Sequence, residues 1–298
     1  MPDIDYTNLP PLHHKSVYPW SVLRSDAKEW QTRKKELISS GIDDLAGRQD
    51  IEIFRHGKSG RHHKISGGKS RFDPVLADTL LAWYAPKGGL VYDPFAGGIT
   101  RSAMAVANGM RYIGRDLSAT QIASNRELAV KLGLHGVMFE TGDGTQAAPV
   151  DDADFILTCP PYHTAEKYSD NPADLSCMTW ERHLDAVGEA ASACYDALSD
   201  NRFIAWVIGD LRGPKGQLRM LPERTALILE QSGFTPVNHH ILVTPVGTMH
   251  RMLRRWWTNT RSAGRTHQHV LVMVKGDRRK AVEVIHDAAD RFAKTDAA

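Results

Sequence analysis

No apolar stretch of this sequence is long enough to span a bilayer, and its first fifteen residues contain no apolar core of the kind found in signal peptides. Cysteine is scarce: Cys159, Cys177 and Cys194 are well separated and form neither a disulfide framework nor a CxxC metal clip. We therefore expect a protein without a metal or a membrane partner, in a reducing, cytoplasmic setting.

Charge is nearly balanced, with a formal net charge of +2, but it is distributed unevenly. Residues 55–71 carry six Arg or Lys and no acid, and residues 250–269 combine five arginines with two adjacent tryptophans, again without an acid. One such stretch alone is typical of a solvated surface, whereas two favour contact with a phosphate backbone and stacking on bases. The candidate nucleic-acid contacts are Arg55, Lys58, Arg61, Lys64, Arg251, Arg254, Arg255, Trp256, Trp257 and Arg261.

The order of the predicted elements indicates the fold class. Between residues 72 and 277, apolar strand segments such as "LVYD" and "RFIAWVIGD" alternate with helical segments. This alternation predicts an α/β domain with a doubly wound, mostly parallel sheet of seven strands and helices on both faces. The remaining segments are predicted to be a separate, partly helical lead-in with Ser25 as a possible helix cap (1–54), a basic Gly-rich loop (55–71), a basic and aromatic loop within the domain (245–267), and a C-terminal helix or tail (278–298).

Four successive strand ends carry polar or turn-forming residues. The first ends in "DPFAGG" (93–98), the second in Asp116, the third leads into Asp143, and the fourth ends in "CPPY" (159–162). Any one of these acids could simply cap a helix. Because ligands of open α/β sheets bind outside the carboxyl ends of the strands, the set predicts one shared ligand site. Asp116, 23 residues after Asp93, has the spacing of an acid that binds ribose hydroxyls.

These motifs, in this order, resemble those of the S-adenosylmethionine-dependent DNA amino-methyltransferases, which have a Rossmann-like class I methyltransferase fold. "DPFAGG" is similar to the first motif of that family and "CPPY" to its Asp/Ser/Asn-Pro-Pro-Tyr motif. The resemblance covers about residues 70–275, and the layout also resembles phage-encoded DNA methylases. It implies methyl transfer to an exocyclic amine of a base flipped out of double-stranded DNA, with N4 of cytosine slightly favoured over N6 of adenine, in a bacterium or a phage-infected cell.

The resemblance also implies roles for individual residues. It places Cys159 and the carbonyl of Pro160 beside the amine, with Pro161 stiffening the corner and Tyr162 stacking on the base. Free N–H groups at the start of the helix that begins at Pro74 would hold the cofactor carboxylate. The implied contacts to S-adenosylmethionine are Phe72, Asp93, Pro94, Phe95, Ala96, Gly97, Gly98, Asp116, Leu117 and Asp143.

Two residues depart from the family pattern. Ile99 replaces the last glycine of Phe-x-Gly-x-Gly, and Cys159 stands where Asp, Ser or Asn is usual. Cys159 could be a spacer, a nucleophile for carbon-5 methylation of a pyrimidine, or an inert thiol. An RNA methyltransferase of the same chemistry, a non-catalytic nucleic-acid-binding protein and a nicotinamide-dependent oxidoreductase also stay open as functions.

Overall fold

The computed structural model describes residues 19–42, 71–165, 167–246 and 250–295. Eight strands form one sheet: β1 Val22–Arg24, β2 Leu90–Asp93, β3 Arg111–Asp116, β4 Val137–Thr141, β5 Ala153–Thr158, β6 Leu198–Ile208, β7 Thr235–Val243 and β8 His267–Lys275. The helices are α1 Lys28–Ser39, α2 Pro74–Tyr84, α3 Thr100–Ala107, α4 Ala119–Lys131, α5 Trp180–Ala197, α6 Leu221–Gln231, α7 His250–Thr260 and α8 Arg278–Thr295, with one 3₁₀ turn at His163–Ala165. Among the described residues, no helix combines the length and apolarity needed to cross a bilayer.

The strand order is β1-β7-β8-β6-β5-β2-β3-β4, and among the described strands only β8 runs antiparallel to its neighbours. From β2 the chain proceeds outward to β3 and β4, and it then returns to lay β5 on the other side of β2. The carboxyl ends of β2 and β5 therefore flank the point where the strand order reverses, which is where open α/β sheets bind ligands.

Two apolar layers cover the two faces of the sheet. Successive residues of the central strands enter different layers: Val91 and Phe155 pack with α2 and α3, whereas Tyr92 and Ile156 pack with α5. The middle residues of these strands are mostly apolar because both faces are buried, as expected for central parallel strands. The predicted α/β sheet with helices on both faces is confirmed.

The eighth strand comes from the segment that was predicted to be a separate lead-in. β1 pairs in parallel with the end of β7, and α1 packs Trp30 and Leu37 into the core. Ser25 does not cap α1: its hydroxyl donates to the carbonyl of Val243 at 2.7 Å, and Ala27 occupies the cap position. The described part of the lead-in is thus an integral part of the sheet and its helical layer.

The segments after β7 also differ in part from expectation. Residues 245–267 are not a loop throughout, because α7 occupies the middle of the segment. Residues 278–295 form α8, one of the two alternatives given for the C-terminus. Because β7 is parallel to the central strands, the connection that contains α7 leaves the sheet at the edge where β2 and β5 end.

Candidate active site

A cavity of about 580 Å³ opens at the carboxyl ends of the parallel strands. Its wall brings together ten of the fourteen residues that the sequence singled out for catalysis and cofactor binding: Phe72, Phe95, Gly97, Asp116, Leu117, Asp143, Cys159, Pro160, Pro161 and Tyr162. Asp93, Pro94, Ala96 and Gly98 are buried beneath this wall. The volume is within the range of about 300–1,000 Å³ that is typical of sites for small organic ligands.

The segment 93–98, which we call the glycine turn, is held together from below by Asp93. Its carboxylate is fully buried and accepts hydrogen bonds from four donors: the Phe95 N–H at 3.1 Å, the Tyr112 hydroxyl at 2.9 Å, the Thr158 hydroxyl at 3.0 Å and the Arg101 guanidinium. Such a carboxylate has its lone pairs occupied within the protein. Asp93 therefore shapes the turn, and the ligand-facing surface belongs to its neighbours.

Arg101, in the first turn of α3, was not identified from the sequence. Besides its ion pair with Asp93, it donates to the carbonyls of Phe95 at 2.6 Å and Ala96 at 3.0 Å, and its guanidinium lies 4.5 Å from the centre of the Phe72 ring. Burial alone would lower the pKa of Arg101, but the charge of Asp93 raises that pKa above its ordinary value. A cation at a helix N-terminus opposes the helix dipole, and this unfavourable position was the available signal of a special role.

The turn itself needs glycine at one position. Gly97 has φ = 53°, its N–H donates to Oδ2 of Asp116 at 2.9 Å, and its carbonyl accepts from the amide of Asn125 at 2.7 Å. Ile99, the departure from the family pattern, has φ = −71° and lies in the core, so its backbone tolerates a branched side chain. The two hydrogen bonds of Gly97 join the turn to Asp116 at the end of β3 and to Asn125 of α4.

The loop after β4 packs directly on the glycine turn. A Cβ at Gly144 would overlap the carbonyl oxygen of Pro94 and lie 2.9 Å from the Phe95 ring. Asp143 stands beside this contact, and its Oδ1 accepts from both the N–H and the hydroxyl of Thr145 at 2.9 Å. The two acids that follow β3 and β4 are therefore held at fixed positions in the same wall.

The Pro-Pro-Tyr corner forms another part of the wall. The hydroxyl of Tyr162 lies 3.2 Å from Sγ of Cys159 and accepts from the side-chain amide of Gln268 at 3.3 Å. The ring lies against the backbone of Gly209, where a Cβ would come within 2.8 Å of the ring carbon Cε2. Among the described residues, no hydrogen bond reaches the carbonyl oxygen of Pro160. Gln268 was missed because only the antiparallel course of β8 brings its first residues to this edge.

A layer of aromatic rings supports the corner from behind. His163 has φ = 49°, its Nε2 lies 2.9 Å from the carbonyl of Met178, and its ring contacts those of Trp180 and His183. Burial lowers the pKa of both histidines, that of His183 to about 4. The two imidazoles are therefore neutral near pH 7, and they act as packing groups.

The start of α2 does not offer the free N–H groups that were expected to hold a carboxylate. Pro74 has no N–H, and the next three N–H groups all donate to Asp73: those of Val75 and Leu76 to Oδ1 at 3.0 and 3.3 Å, and that of Ala77 to the carbonyl at 3.0 Å. Asp73 is the N-cap of α2, and this cap consumes the donors. The other carboxylate oxygen of Asp73 pairs with Lys34 of α1 at 2.8 Å.

The segment between the corner and α5 lines the opposite side of the cavity. Tyr168, Ser169 and Asn171 contribute to the wall. Asp174 holds the segment in shape, since it accepts from the Ser169 hydroxyl at 2.8 Å and from the Ser176 N–H and hydroxyl at 2.8 and 2.7 Å. In the described ranges, no group of three or more His, Cys, Asp or Glu side chains is arranged to hold a metal ion.

No family model and no curated protein matches this chain. Solved structures are similar at low sequence identity. The [4+2]-cyclase SpnF aligns with a TM-score of 0.50 and 16% identity over 83% of this chain and 94% of that one. The chain has the Rossmann-like fold of the class I methyltransferases.

Two further structures of this fold illustrate the range of similarity. A TehB-like SAM-dependent methyltransferase from Corynebacterium glutamicum aligns at 13% identity over 84% of this chain and 98% of its own, with a TM-score of 0.42. TrmN from Thermus thermophilus aligns at 20% identity over 68% of this chain and 49% of its own, with a TM-score of 0.47. Because one protein with the class I methyltransferase fold is a cyclase, the fold alone does not determine the reaction.

The residues on both sides of α7, one of the two segments expected to contact nucleic acid, lie beside the cavity. Thr244 and Pro245 before α7, and Gln268 after it, line the cavity. On α7 and just beyond it, Arg254, Arg255, Trp257 and Arg261 are exposed, Trp256 is half-buried, and the Arg261 guanidinium lies 5.5 Å from the centre of the Trp257 ring. Arg55, Lys58, Arg61, Lys64 and the side chain of Arg251 lie outside the described residues.

Proposed function

We propose that this chain is an S-adenosylmethionine-dependent methyltransferase that modifies an exocyclic amine of a DNA base, with N4 of cytosine favoured over N6 of adenine. The observation that carries the proposal is the shared cavity: the Pro-Pro-Tyr corner and the glycine turn with its two acids face the same space. A cofactor site alone would suit many substrates. The rigid aromatic corner beside it favours a planar base.

The polar and apolar groups of the cavity wall fit the adenosyl part of the cofactor. Asp116 and Asp143 provide carboxylate acceptors for ribose hydroxyls and for the adenine amine, and Phe95 provides an apolar ring in the same wall. S-adenosylmethionine supplies a sulfonium methyl group, whose C–S bond electrons stay on sulfur as the C–N bond forms and the amine releases a proton to water.

The corner can prepare a poor nucleophile. The lone pair of an exocyclic amine is delocalised into the base, and hydrogen bonds from the amine to fixed acceptors favour a pyramidal nitrogen. The carbonyl of Pro160 is suited to this role because it is outside any strand ladder. Sulfur is a weak acceptor, so Cys159 contributes less, and its hydrogen bond with Tyr162 instead fixes the ring.

DNA is the proposed polymer because the two sequence motifs resemble those of DNA amino-methyltransferases, and a cationic surface beside the cavity is suited to a phosphate backbone. The ring of Tyr162 would stack on the flipped base. The arginines and Trp257 of α7 extend from the rim and are suited to phosphates and unpaired bases. An RNA base presents the same amine, so the polymer must be tested directly.

The decisive experiment is nucleoside mass spectrometry after incubation with isotopically labelled S-adenosylmethionine and, separately, DNA or RNA. We expect label in DNA as N4-methylcytosine. N6-methyladenine would change the base but not the reaction, and label in RNA alone would overturn the DNA assignment. Salt-dependent duplex binding without any transfer would indicate a non-catalytic protein.

Cys159→Ser separates the amino-methylation proposal from carbon-5 methylation. We expect the variant to keep activity within roughly tenfold of the parent, since a hydroxyl is at least as good an acceptor as a thiol. Cys177→Ser is the matched control, because this exposed thiol lies outside the cavity wall. Loss of all activity in Cys159→Ser alone, with carbon-5 methylcytosine as the product of the parent, would identify a nucleophilic cysteine.

A further inference from the structure

We propose that the Lys34–Asp73 ion pair recognises the zwitterionic amino-acid end of the cofactor. This inference rests on the function proposed above. It assigns a binding role to α1, a helix outside the part of the chain that carries the sequence motifs. Lys34 would hold the carboxylate, and Asp73 would hold the ammonium group through Oδ2. Unlike the fully buried Asp93, the Asp73 side chain is 12% exposed, and Trp30, Val75 and Leu76 all donate to its other oxygen, Oδ1.

The first observation is that Lys34 is held in the cavity wall by its helix. Trp30 is buried and donates its indole N–H to Oδ1 of Asp73 at 3.2 Å, and Arg33 forms a largely buried ion pair with Asp78 on α2. Lys34, one turn after Trp30, pairs with the same carboxylate, and its side chain keeps 31% of its surface exposed. Its ammonium group is therefore positioned by the fold and accessible from the cavity.

The second observation is that the other cationic or N–H groups near this end are engaged or exposed. The N–H groups of the first turn of α2 donate to Asp73. Arg101 is 5% exposed and bonds to Asp93 and to two carbonyls of the glycine turn. Arg71 also borders the cavity, but it is exposed and no hydrogen bond or ion pair fixes its side chain among the described residues. Within the described part of the cavity wall, Lys34 is the cation that is both fixed by an ion pair and accessible.

A chain of contacts along the cavity wall connects Asp73, at one end, with Asp116, at the other. Asp73 follows Phe72, whose ring lies against the Arg101 guanidinium, and Arg101 bonds to the carbonyls of the glycine turn. The turn in turn contacts Asp116 through Gly97. An elongated ligand whose ribose lies at Asp116 would therefore reach Asp73 and Lys34 with its far end. That end of S-adenosylmethionine carries one carboxylate and one ammonium group, which are complementary to a Lys–Asp pair.

The test is calorimetric titration with two ligands that share the adenosine moiety. S-adenosylhomocysteine carries the amino-acid end, and 5′-methylthioadenosine does not. We expect Lys34→Met to weaken S-adenosylhomocysteine binding roughly 10- to 100-fold, as expected for a hydrogen bond between charged groups, and to leave 5′-methylthioadenosine binding unchanged. Lys35→Met, at the next and exposed residue of α1, is the matched control and should change neither.

The outcomes separate this inference from the proposed function. If the parent protein binds neither ligand, the proposed function fails and this inference fails with it. If the parent binds both and Lys34→Met binds both equally well, only the role of Lys34 is overturned. Equal weakening of both ligands would show a structural effect and would also overturn that role. Lys34→Arg keeps the cation and should retain the preference for S-adenosylhomocysteine, which guards against misfolding of the Met variant.

Discussion

The glycine turn and the Pro-Pro-Tyr corner face the same cavity but are built in different ways. In the turn, the Asp93 carboxylate accepts four hydrogen bonds, and the backbone of Gly97 is bonded on both sides. In the corner, the described residues make no hydrogen bond to the Pro160 carbonyl, and the Tyr162 hydroxyl has longer contacts of 3.2 and 3.3 Å. The Asp93 carboxylate and the Gly97 backbone of the turn are hydrogen-bonded within the protein, whereas the Pro160 carbonyl of the corner can accept a hydrogen bond from a ligand.

The difference in internal hydrogen bonding predicts that the turn and the corner contribute to different properties, the turn to stability and the corner to activity. A buried polar group that is fully bonded contributes to the fold, and its loss leaves other groups without partners. A polar group that borders a cavity and lacks an internal partner contributes little to the fold. We therefore expect substitutions in the turn to change the free energy of unfolding, and substitutions in the corner to change catalysis.

The largest effect is expected for Asp93→Asn. The change removes the countercharge of Arg101, whose side chain is 5% exposed, and breaking a buried pair in this way costs about 3–5 kcal/mol of unfolding free energy. Chemical denaturation of the purified variant measures this loss. As a control, Glu189→Gln removes an exposed ion pair with Arg182 and should cause no measurable change. Equal stability of the two variants would contradict the structural role of Asp93.

A smaller effect is expected from the imidazole layer behind the corner. His183 is fully buried, and burial lowers its pKa from the ordinary value of 6.5 to about 4. As the pH falls below 6.5, His183 therefore takes up a proton in the unfolded chain before it does so in the folded chain. The contribution of neutral His183 to the free energy of unfolding is thus fully present above pH 6.5 and declines towards pH 4. From pH 7 to pH 5 the loss due to His183 is about 2 kcal/mol.

Denaturation of the parent and of His183→Gln at both pH values isolates this contribution. The variant should lose less stability between pH 7 and pH 5 than the parent does, whatever its stability at pH 7. His135→Gln alters an exposed histidine and should keep the parental pH dependence. An identical slope in all three proteins would mean that the unfolding transition does not expose His183.

The sequence was sufficient to predict the regular part of the fold. Seven strands follow from apolar segments, and the start of α2 at Pro74 follows from the preference of proline for the first position of a helix. β1 could not be predicted, because three residues carry no periodic signal and their pairing with β7 spans more than 200 residues of chain. α7 was missed because its basic and aromatic composition was interpreted as a binding loop.

The same division applies to the site. Residues next to the strand ends were found because topology alone places them there. Lys34, Arg101 and Gln268 were missed because each reaches the cavity only through a tertiary contact: α1 on α2, the ion pair to Asp93, and the antiparallel β8. Motif spacing contains no information about such contacts.

The last effect is on activity rather than on the free energy of unfolding; it is expected for Tyr162→Ala and tests the corner most directly. Stacking of a base on an aromatic ring contributes about 1–3 kcal/mol, so kcat/KM for DNA should fall roughly 5- to 150-fold. Tyr162→Phe keeps the ring and removes the hydroxyl that contacts Cys159 and Gln268, and it should stay close to the parent. Binding of S-adenosylhomocysteine, measured in parallel, should be similar in all three proteins. If the Phe variant were as impaired as the Ala variant, the hydroxyl rather than the ring face would be the functional group, and the corner would resemble the turn in depending on its internal hydrogen bonds.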